Sequence, residues 1–133
     1  MKAEQRASSS YWVDGSAPPY HIDTTIELEV PGEGDSDVTT YLAYQTKFPS
    51  RLQEQLREGI YDGVHEGIAM AGMPLESSGI TVRIARLKVS PMPDNGSPAQ
   101  INSGLVNLVK TLTADTVRGL WTGLAALAEP RSA

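Results

Sequence analysis

Three polar side chains near the middle of the chain have the spacing of acid–base or metal-binding groups. Asp62, His65 and Glu66 stand three and four residues apart, so they would share one face of a helix. An imidazole between two carboxylates could move a proton or hold a metal ion. Glu54 and Glu58 belong to the same face, which is typical of a solvated helix surface. We interpret the group as solvated charge and expect no catalytic or metal-binding residue in it.

A second acidic pattern alternates like the first ligands of a calcium-binding loop and consists of Glu33, Asp35 and Asp37. Such a loop needs glycine at its sixth position and glutamate at its twelfth, where this chain has Val38 and Tyr44. The motif therefore fails, and we interpret the segment as an acidic loop between two strands.

Composition excludes several other kinds of chemistry. The 133 residues include no cysteine, which excludes disulfides, thiolate catalysis and cysteine-ligated metal centres. No G-x-x-x-x-G-K-[ST] nucleotide-binding loop occurs. No apolar run approaches the roughly 18 residues that cross a membrane, and the N-terminus lacks the apolar core of a signal peptide. We expect a cytoplasmic, non-enzymatic protein with no cofactor and no membrane association.

Alternating polarity predicts three strands in the first third of the chain. Residues 8–14 form a short candidate strand, after a polar segment at 1–7 that we expect to be frayed. Residues 22–30 alternate clearly between an apolar face and a face with Asp23, Thr25, Glu27 and Glu29. Residues 38–45 are predicted to be the strand that returns after the acidic loop.

Residues 50–72 have the spacing of a helix with two stripes. The apolar stripe is Leu52, Leu56, Ile60, Val64 and Ile68. Beside it lies a bare stripe of Gly59, Gly63, Gly67 and Ala71. Because each glycine in a helix costs about 1 kcal/mol relative to alanine, we predict that this stripe packs closely against the sheet. Ser50 and Gln53 predict a capping box at the start, and Gly72 with Pro74 predicts the end.

The strand predicted at residues 80–89 changes phase in its middle. Ile80, Val82 and Ile84 alternate inward, whereas Leu87 and Val89 continue one position out of step. A β-bulge near Ala85 or Arg86 would return both to the core face. It would also place three cations together on the opposite face, namely Arg83, Arg86 and Lys88.

This cationic group is the best candidate in the sequence for contact with a nucleic acid, with Tyr41 or Tyr20 as a stacking ring. Glu27 and Glu29 are predicted to point to the same face, where cross-strand ion pairs are the simpler account. The net charge of −5 also argues against broad binding to a phosphate backbone. Both interpretations of the group remain open.

A second helix is predicted to begin with Ser97 as its N-cap and Pro98 in its first turn, and its apolar face runs from Ile101 to Leu120. The order strand, strand, strand, helix, strand, helix predicts an α+β fold. We expect a two-layer sandwich in which two helices cover one face of a mostly antiparallel four-stranded sheet.

Three apolar residues, Trp121, Leu124 and Leu127, continue the helical spacing beyond that face. Two interpretations stay open for them. They form either a last strand of the sheet or an exposed apolar strip that binds a partner, such as a second copy of this chain.

Several local motifs occur in the order of one known domain. Pro49 starts the first helix, Gly59-Ile60 lies in its middle, and Ala71-Gly72-Met73-Pro74 ends it, with methionine at a position that is aromatic in the family. Gly119-Leu120 matches a glycine–aromatic step, and Leu127-Ala128-Glu129-Pro130 matches a Leu-Leu-Glu-Pro strand. In residues 20–130, and most specifically in 49–90, the chain resembles domain IV of elongation factor G, the translocation factor of the ribosome.

The resemblance implies a β-α-β unit with a left-handed crossover, although about 98% of such crossovers are right-handed. It also implies a role in translation, because domain IV enters the decoding region of the small ribosomal subunit and contacts it through two tip loops. The corresponding positions here are Asp14 and Gly15 in the first loop and Asp94, Asn95 and Ser97 in the second. The first loop lacks the basic residues of the family, and the second lacks its histidine.

Residues 8–130 are therefore expected to form one domain of this type. Its expected function is non-enzymatic binding of the ribosome or an associated RNA through the tip residues, assisted by Arg83, Arg86 and Lys88. The alternative is a domain of the same fold that serves protein–protein interaction or self-assembly through the C-terminal apolar strip and the open sheet face, the strip being the surface through which a homo-oligomer would form.

Overall fold

The computed structural model describes residues 2–12, 19–30, 38–45, 47–71, 80–93 and 99–128. Within these residues, the elements follow the predicted order: β1 (Lys2–Tyr11), β2 (Tyr20–Glu29), β3 (Val38–Leu42), α1 (Ser50–Met70), β4 (Ile80–Ser90) and α2 (Ala99–Ala128). The strands form one sheet in the order β1-β2-β4-β3, with antiparallel β1–β2 and β2–β4 pairs and a parallel β3–β4 pair. The predicted α+β fold is confirmed.

One face of the sheet carries the hydrophobic core. In β2, Ile22, Ile26 and Leu28 are fully buried, and alternate residues of β4 are buried with them. The apolar stripe of α1 belongs to the same core cluster, as do Leu105 and Val109 of α2. Both helices therefore lie on this face, as predicted. The parallel β3–α1–β4 unit is the crossover, and its left-handed sense stays a prediction.

The first strand begins at Lys2, so the expectation of a frayed segment at 1–7 is wrong for residues 2–7. β1 pairs with β2 along its whole length, from Lys2 opposite Glu29 to Tyr11 opposite Tyr20. Its inner side is held by α2, because the Tyr11 ring rests where a side chain on Gly104 would otherwise be. A strand with one solvated face can be this polar and still be ordered. Residues 13 and 14, which were predicted to end this strand, lie outside the described residues.

The third strand is shorter than expected and has a different neighbour. β3 covers Val38–Leu42 and pairs with β4 rather than with β2, the strand that precedes it in the chain. One further backbone bond continues the pairing, from the Ala43 N–H to the Ile84 carbonyl at 2.9 Å. β4 buries alternate residues on both sides of its bulge. β4 therefore lies between β2 and β3 in the sheet. The order of the strands in the sequence did not indicate this position.

The glycine stripe of α1 faces α2, so the prediction that it packs against the sheet is wrong. A Cβ atom on Gly63 would lie 2.6 Å from the Lys110 carbonyl oxygen, and one on Gly67 would lie 2.6 Å from that of Ala114. The apolar stripe of α1 packs against the sheet, and the glycine stripe allows α2 to approach closely. Because residue numbers rise together along the contact, the two helices run parallel.

The ends of the helices differ from the predicted caps. α1 has Pro49 as its N-cap without a side-chain bond, so the capping box of Ser50 and Gln53 is wrong. The Gln53 N–H instead donates to the Pro49 carbonyl at 2.8 Å, as in any helix. At the other ends, Gly72, Pro74, Ser97 and Pro98 lie outside the described residues.

The C-terminal apolar residues continue α2, which corrects both interpretations of them. α2 runs without a break to Ala128, so residues 121–127 form no last strand. Leu124 is only 3% exposed within the core, and Trp121 is half-buried against it, so these two do not form an exposed strip. The side chain of Leu127 lies outside the described residues. The longer helix is needed because α2 also covers β1, with Gly119 beside Gln5.

Replacing Gly63 with alanine is expected to destabilise the fold, because the added methyl group would lie 2.6 Å from a backbone oxygen of α2. Overpacking of this kind costs about 1–3 kcal/mol, which urea unfolding can measure. Gly123→Ala is the matched control, since nothing lies within 4 Å of a methyl group there. Alanine should stabilise that helical position by about 0.5–1 kcal/mol. Equal free-energy changes in the two variants would contradict the close contact.

A candidate nucleic-acid interface on the open sheet face

The face of the sheet opposite the helices, called the open face below, carries most of the charge of the strands. Its charged side chains in β1, β2 and β4 are Lys2, Glu4, Arg6, Asp23, Glu27, Glu29, Arg83, Arg86 and Lys88. Five of these are cationic and four anionic, whereas the whole chain has a net charge of −5. The open face is therefore less acidic than the chain as a whole.

A bulge in β4 collects the cations on this face, as predicted. Thr25 lies opposite Arg86 and Ile26 lies opposite Ile84, so Ala85 between them has no partner in β2. The buried Thr24 hydroxyl donates to the Arg86 carbonyl at 2.8 Å and satisfies the backbone where the pairing shifts. The bulge returns the rest of β4 to the core phase and leaves Arg83, Arg86 and Lys88 outside.

Each of two carboxylates on the open face lies between two cations. Arg6 donates to Asp23 through Nε at 2.9 Å and Nη2 at 2.6 Å, and Arg86 Nη2 lies 3.5 Å from the same carboxylate. On Glu27, Lys2 Nζ lies 3.8 Å from Oε2 and Arg83 Nη1 lies 3.9 Å from it. Of the predicted cross-strand pairs, that of Arg83 with Glu27 is confirmed, whereas Arg86 pairs with Asp23. The role of Asp23 was missed, because the pairing of β1 with β2 was not predictable.

These neighbours shift the pKa values of two carboxyls in opposite directions. The hydrogen bond from Arg6, aided by the nearby cations, lowers the pKa of Asp23 below its ordinary 3.8, although partial burial acts the other way. Glu4 lies opposite Glu27 in the β1–β2 pairing, and its hydrogen bond to that second carboxyl raises the pKa of Glu4 above its ordinary 4.5.

An exposed aromatic ring lies beside the cations. Tyr41 of β3 is 55% exposed and lies opposite Arg83 in the β3–β4 pairing. Tyr20, the other ring considered, packs against the core instead. A shallow hollow of about 540 Å³ is lined by residues 43–45 and 85–87 together with Arg83. The strand pairing thus places a stacking ring beside Arg83, and the hollow lies between Arg83 and Arg86.

The remaining candidate residues are not part of this surface. Asp62, His65 and Glu66 belong to α1, and Glu66 Oε2 lies 3.7 Å from Lys110 Nζ. In the described part of the chain, no three His, Asp or Glu side chains come together as a metal ion would require. The expected tip residues Asp14, Gly15, Asp94, Asn95 and Ser97 lie outside the described residues. None of the helices that the structure describes is long and apolar enough to span a membrane.

Comparison with known proteins gives a distant structural likeness. No family model matches this chain, and no curated protein matches it. A crystal structure of a protein from Thermus thermophilus is similar over 86% of this chain, with 16% identity and a TM-score of 0.48. This chain spans 15% of the length of that protein. Similarity at this level allows no conclusion about function.

The lowered pKa of Asp23 predicts a loss of stability in acid. Its ionised form stabilises the folded state above pH 3.8, and this contribution disappears as the pH falls through the lower pKa of the folded state. The free energy of unfolding should therefore be larger for the wild type than for Asp23→Asn near neutral pH. The difference, followed by urea unfolding across the acid range, should shrink below pH 3.8.

Glu4→Gln provides a control of opposite sign. The charged form of Glu4 is disfavoured in the folded state, because its pKa is raised beside Glu27. This variant should be more stable than the wild type above that raised pKa, and the advantage should vanish below pH 4.5, where the unfolded chain also binds the proton. If both variants change stability in the same direction at every pH, the described charge arrangement is wrong.

Proposed function

We propose that this chain is a non-enzymatic RNA-binding module of the elongation factor G domain IV type, with ribosomal RNA or an RNA on the ribosome as its target. The observation that carries the proposal is the bulge at Ala85, which puts Arg83, Arg86 and Lys88 on one open face beside Tyr41. The order of the elements, β-β-β-α-β-α, agrees with the fold that the resemblance implies.

The chemistry of this surface suits an unpaired stretch of RNA. Single-stranded nucleic acids bind through bases stacked on exposed rings and through cations along the backbone. Tyr41 offers such a ring, and Arg83 lies opposite it in the strand pairing. Guanidinium groups can hold phosphate oxygens in a bidentate manner and can also stack on bases.

The ion pairs of the open face still leave the arginines available. The side chains of Arg83 and Arg86 are 55% and 50% exposed, and their distances to Glu27 and Asp23 are 3.9 and 3.5 Å. Exposed pairs of this kind contribute about 0–1 kcal/mol, so an RNA phosphate can replace the carboxylate at small cost. The acids hold the cations in place and limit binding to other polyanions.

The tip loops differ from the family in charge, so we assign the main contact to the open face. Asp14, Gly15, Asp94, Asn95 and Ser97 contribute no positive charge. This assignment changes which residues are decisive for binding. Substitutions on β4 should matter more than substitutions in the loops.

Removing the three cations is expected to abolish salt-sensitive binding to ribosomes. The combined variant Arg83→Gln, Arg86→Gln, Lys88→Gln would be compared with the wild type by co-sedimentation at low and moderate salt. Each lost phosphate contact should reduce the slope of log K against log salt by about 0.7 for a single strand. The isolated domain IV of an authentic elongation factor G is the positive control.

A charge-matched control variant separates this surface from overall charge. Arg51→Gln, Arg57→Gln, Arg118→Gln removes three cations from the exposed surfaces of α1 and α2. It should leave binding within about twofold of the wild type, because none of the three belongs to the site. If the wild type fails to sediment where the positive control does, the RNA-binding proposal is wrong and the alternative, a protein-interaction domain of the same fold, is favoured.

Tyr41→Val tests the stacking ring, because valine keeps the strand propensity of the position but removes the aromatic surface. Loss of one stacked base costs about 1–3 kcal/mol, which corresponds to roughly fivefold or more weaker binding to a fluorescent single-stranded RNA. Tyr61→Leu on α1 is the control and should bind like the wild type. Equal affinities of the Tyr41 variant and the wild type would remove Tyr41 from the site.

A further inference from the structure

β1 leaves one long side of the sheet without a neighbouring strand. The strand order β1-β2-β4-β3 places β1 and β3 at the two edges, and β1 has 10 residues where β3 has 5. In the part of the chain that the structure describes, no other strand pairs with the outer side of β1. Such an edge is a template on which another strand can pair.

The charges on β1 suit a second copy of the same strand. Protective edges generally carry charge that repels another strand. On its open-face side, β1 instead carries Lys2, Glu4 and Arg6, which alternate in sign. An antiparallel pair centred on Gln5 would place Glu4 of each copy opposite Arg6 of the other. Two opposite-charge pairs would then form across one short interface.

The neighbouring antiparallel pairings that keep the two open faces aligned are not complementary. A pairing centred on Glu4 sets this carboxylate opposite its own copy and Lys2 opposite Arg6. A pairing centred on Arg6 sets two guanidinium groups opposite each other. A pairing centred on Ala3 would also set Lys2 opposite Glu4, but it would join only residues 2–4 of β1, whereas the pairing centred on Gln5 joins residues 2–8. Charge and the length of the paired segment together favour the pairing centred on Gln5.

We propose that two copies of this chain associate through their β1 edges, antiparallel and centred on Gln5, and that the two sheets become one continuous sheet. The inward-facing residues at the junction besides Gln5 are Ala3 and Ala7, which are small enough to pair across a two-fold axis. Glu4, whose hydrogen bond to Glu27 raises its pKa in the single chain, gains a guanidinium neighbour. The interface uses the edge of β1 and so is separate from the RNA surface proposed on β3 and β4.

A charge-reversal experiment tests this pairing. Sedimentation equilibrium of the full chain over a range of concentrations should show a monomer–dimer equilibrium for the wild type. Glu4→Arg and Arg6→Glu should each weaken dimerisation about tenfold or more, because each turns both symmetric pairs into like-charge pairs. An equal mixture of the two variants should dimerise at least as well as the wild type, because one chain then carries two cations and the other carries two carboxylates at positions 4 and 6, which restores both opposite-charge pairs.

Matched controls separate this contact from general effects of charge. Glu54→Arg and Arg51→Glu on the exposed side of α1 make the same changes of charge and should leave the dimer unchanged. Arg6→Glu also removes the bond to Asp23, so circular dichroism must show that it is folded. Glu4→Arg keeps that bond and is informative by itself. A wild type that is monomeric at every concentration, or a mixture that dimerises no better than either variant alone, would overturn the proposal.

Discussion

The close contact of α1 with α2 along Gly59, Gly63 and Gly67 determines how the remaining layers pack. Four strands spaced about 4.8 Å apart make a sheet that two helices, each about 10 Å across, can just cover. A methyl group on Gly63 would meet the backbone of α2 at 2.6 Å, so the helices are as close as two backbones allow. The glycines cost roughly 3 kcal/mol of helix propensity in total. Burial of fully enclosed side chains such as Leu56, Ile60 and Leu105 offsets that cost.

Because both helices lie on one face, the other face must meet water or a partner with its own side chains. The bulge at Ala85 determines which side chains these are. Without the extra residue, Leu87 and Val89 would point outward, and Arg86 and Lys88 would point into the core. One inserted residue thus completes the hydrophobic layer and creates the cationic surface. The Thr24 hydroxyl fixes the place of the insertion through its bond to the Arg86 carbonyl.

Strong local periodicity made β2, β4 and α1 predictable from the sequence, and the bulge followed from a single break in phase. The predictions that were wrong concern features that depend on contacts between distant parts of the chain. β1 is polar and is ordered by its pairing with β2 and its packing against α2, so its bond from Arg6 to Asp23 had no signal in the sequence. The spacing of Gly63 and its neighbours indicated close packing but not against which element. The composition of the residues from 121 onward suits either a helix or a strand. They form a helix, because α2 also covers β1.

The parallel course of α1 and α2 gives the domain an electrical polarity that its formal charge does not reveal. Each helix carries a partial positive charge of about half an electron at its N-terminus and a matching negative charge at its C-terminus. Both helices begin at the same end of the domain, and their first turns contain no acidic residue, just as their last turns contain no basic one. The two macrodipoles therefore add without compensation from side chains in those turns. One end of a chain with a net charge of −5 is consequently more positive than the formal charges of those turns indicate.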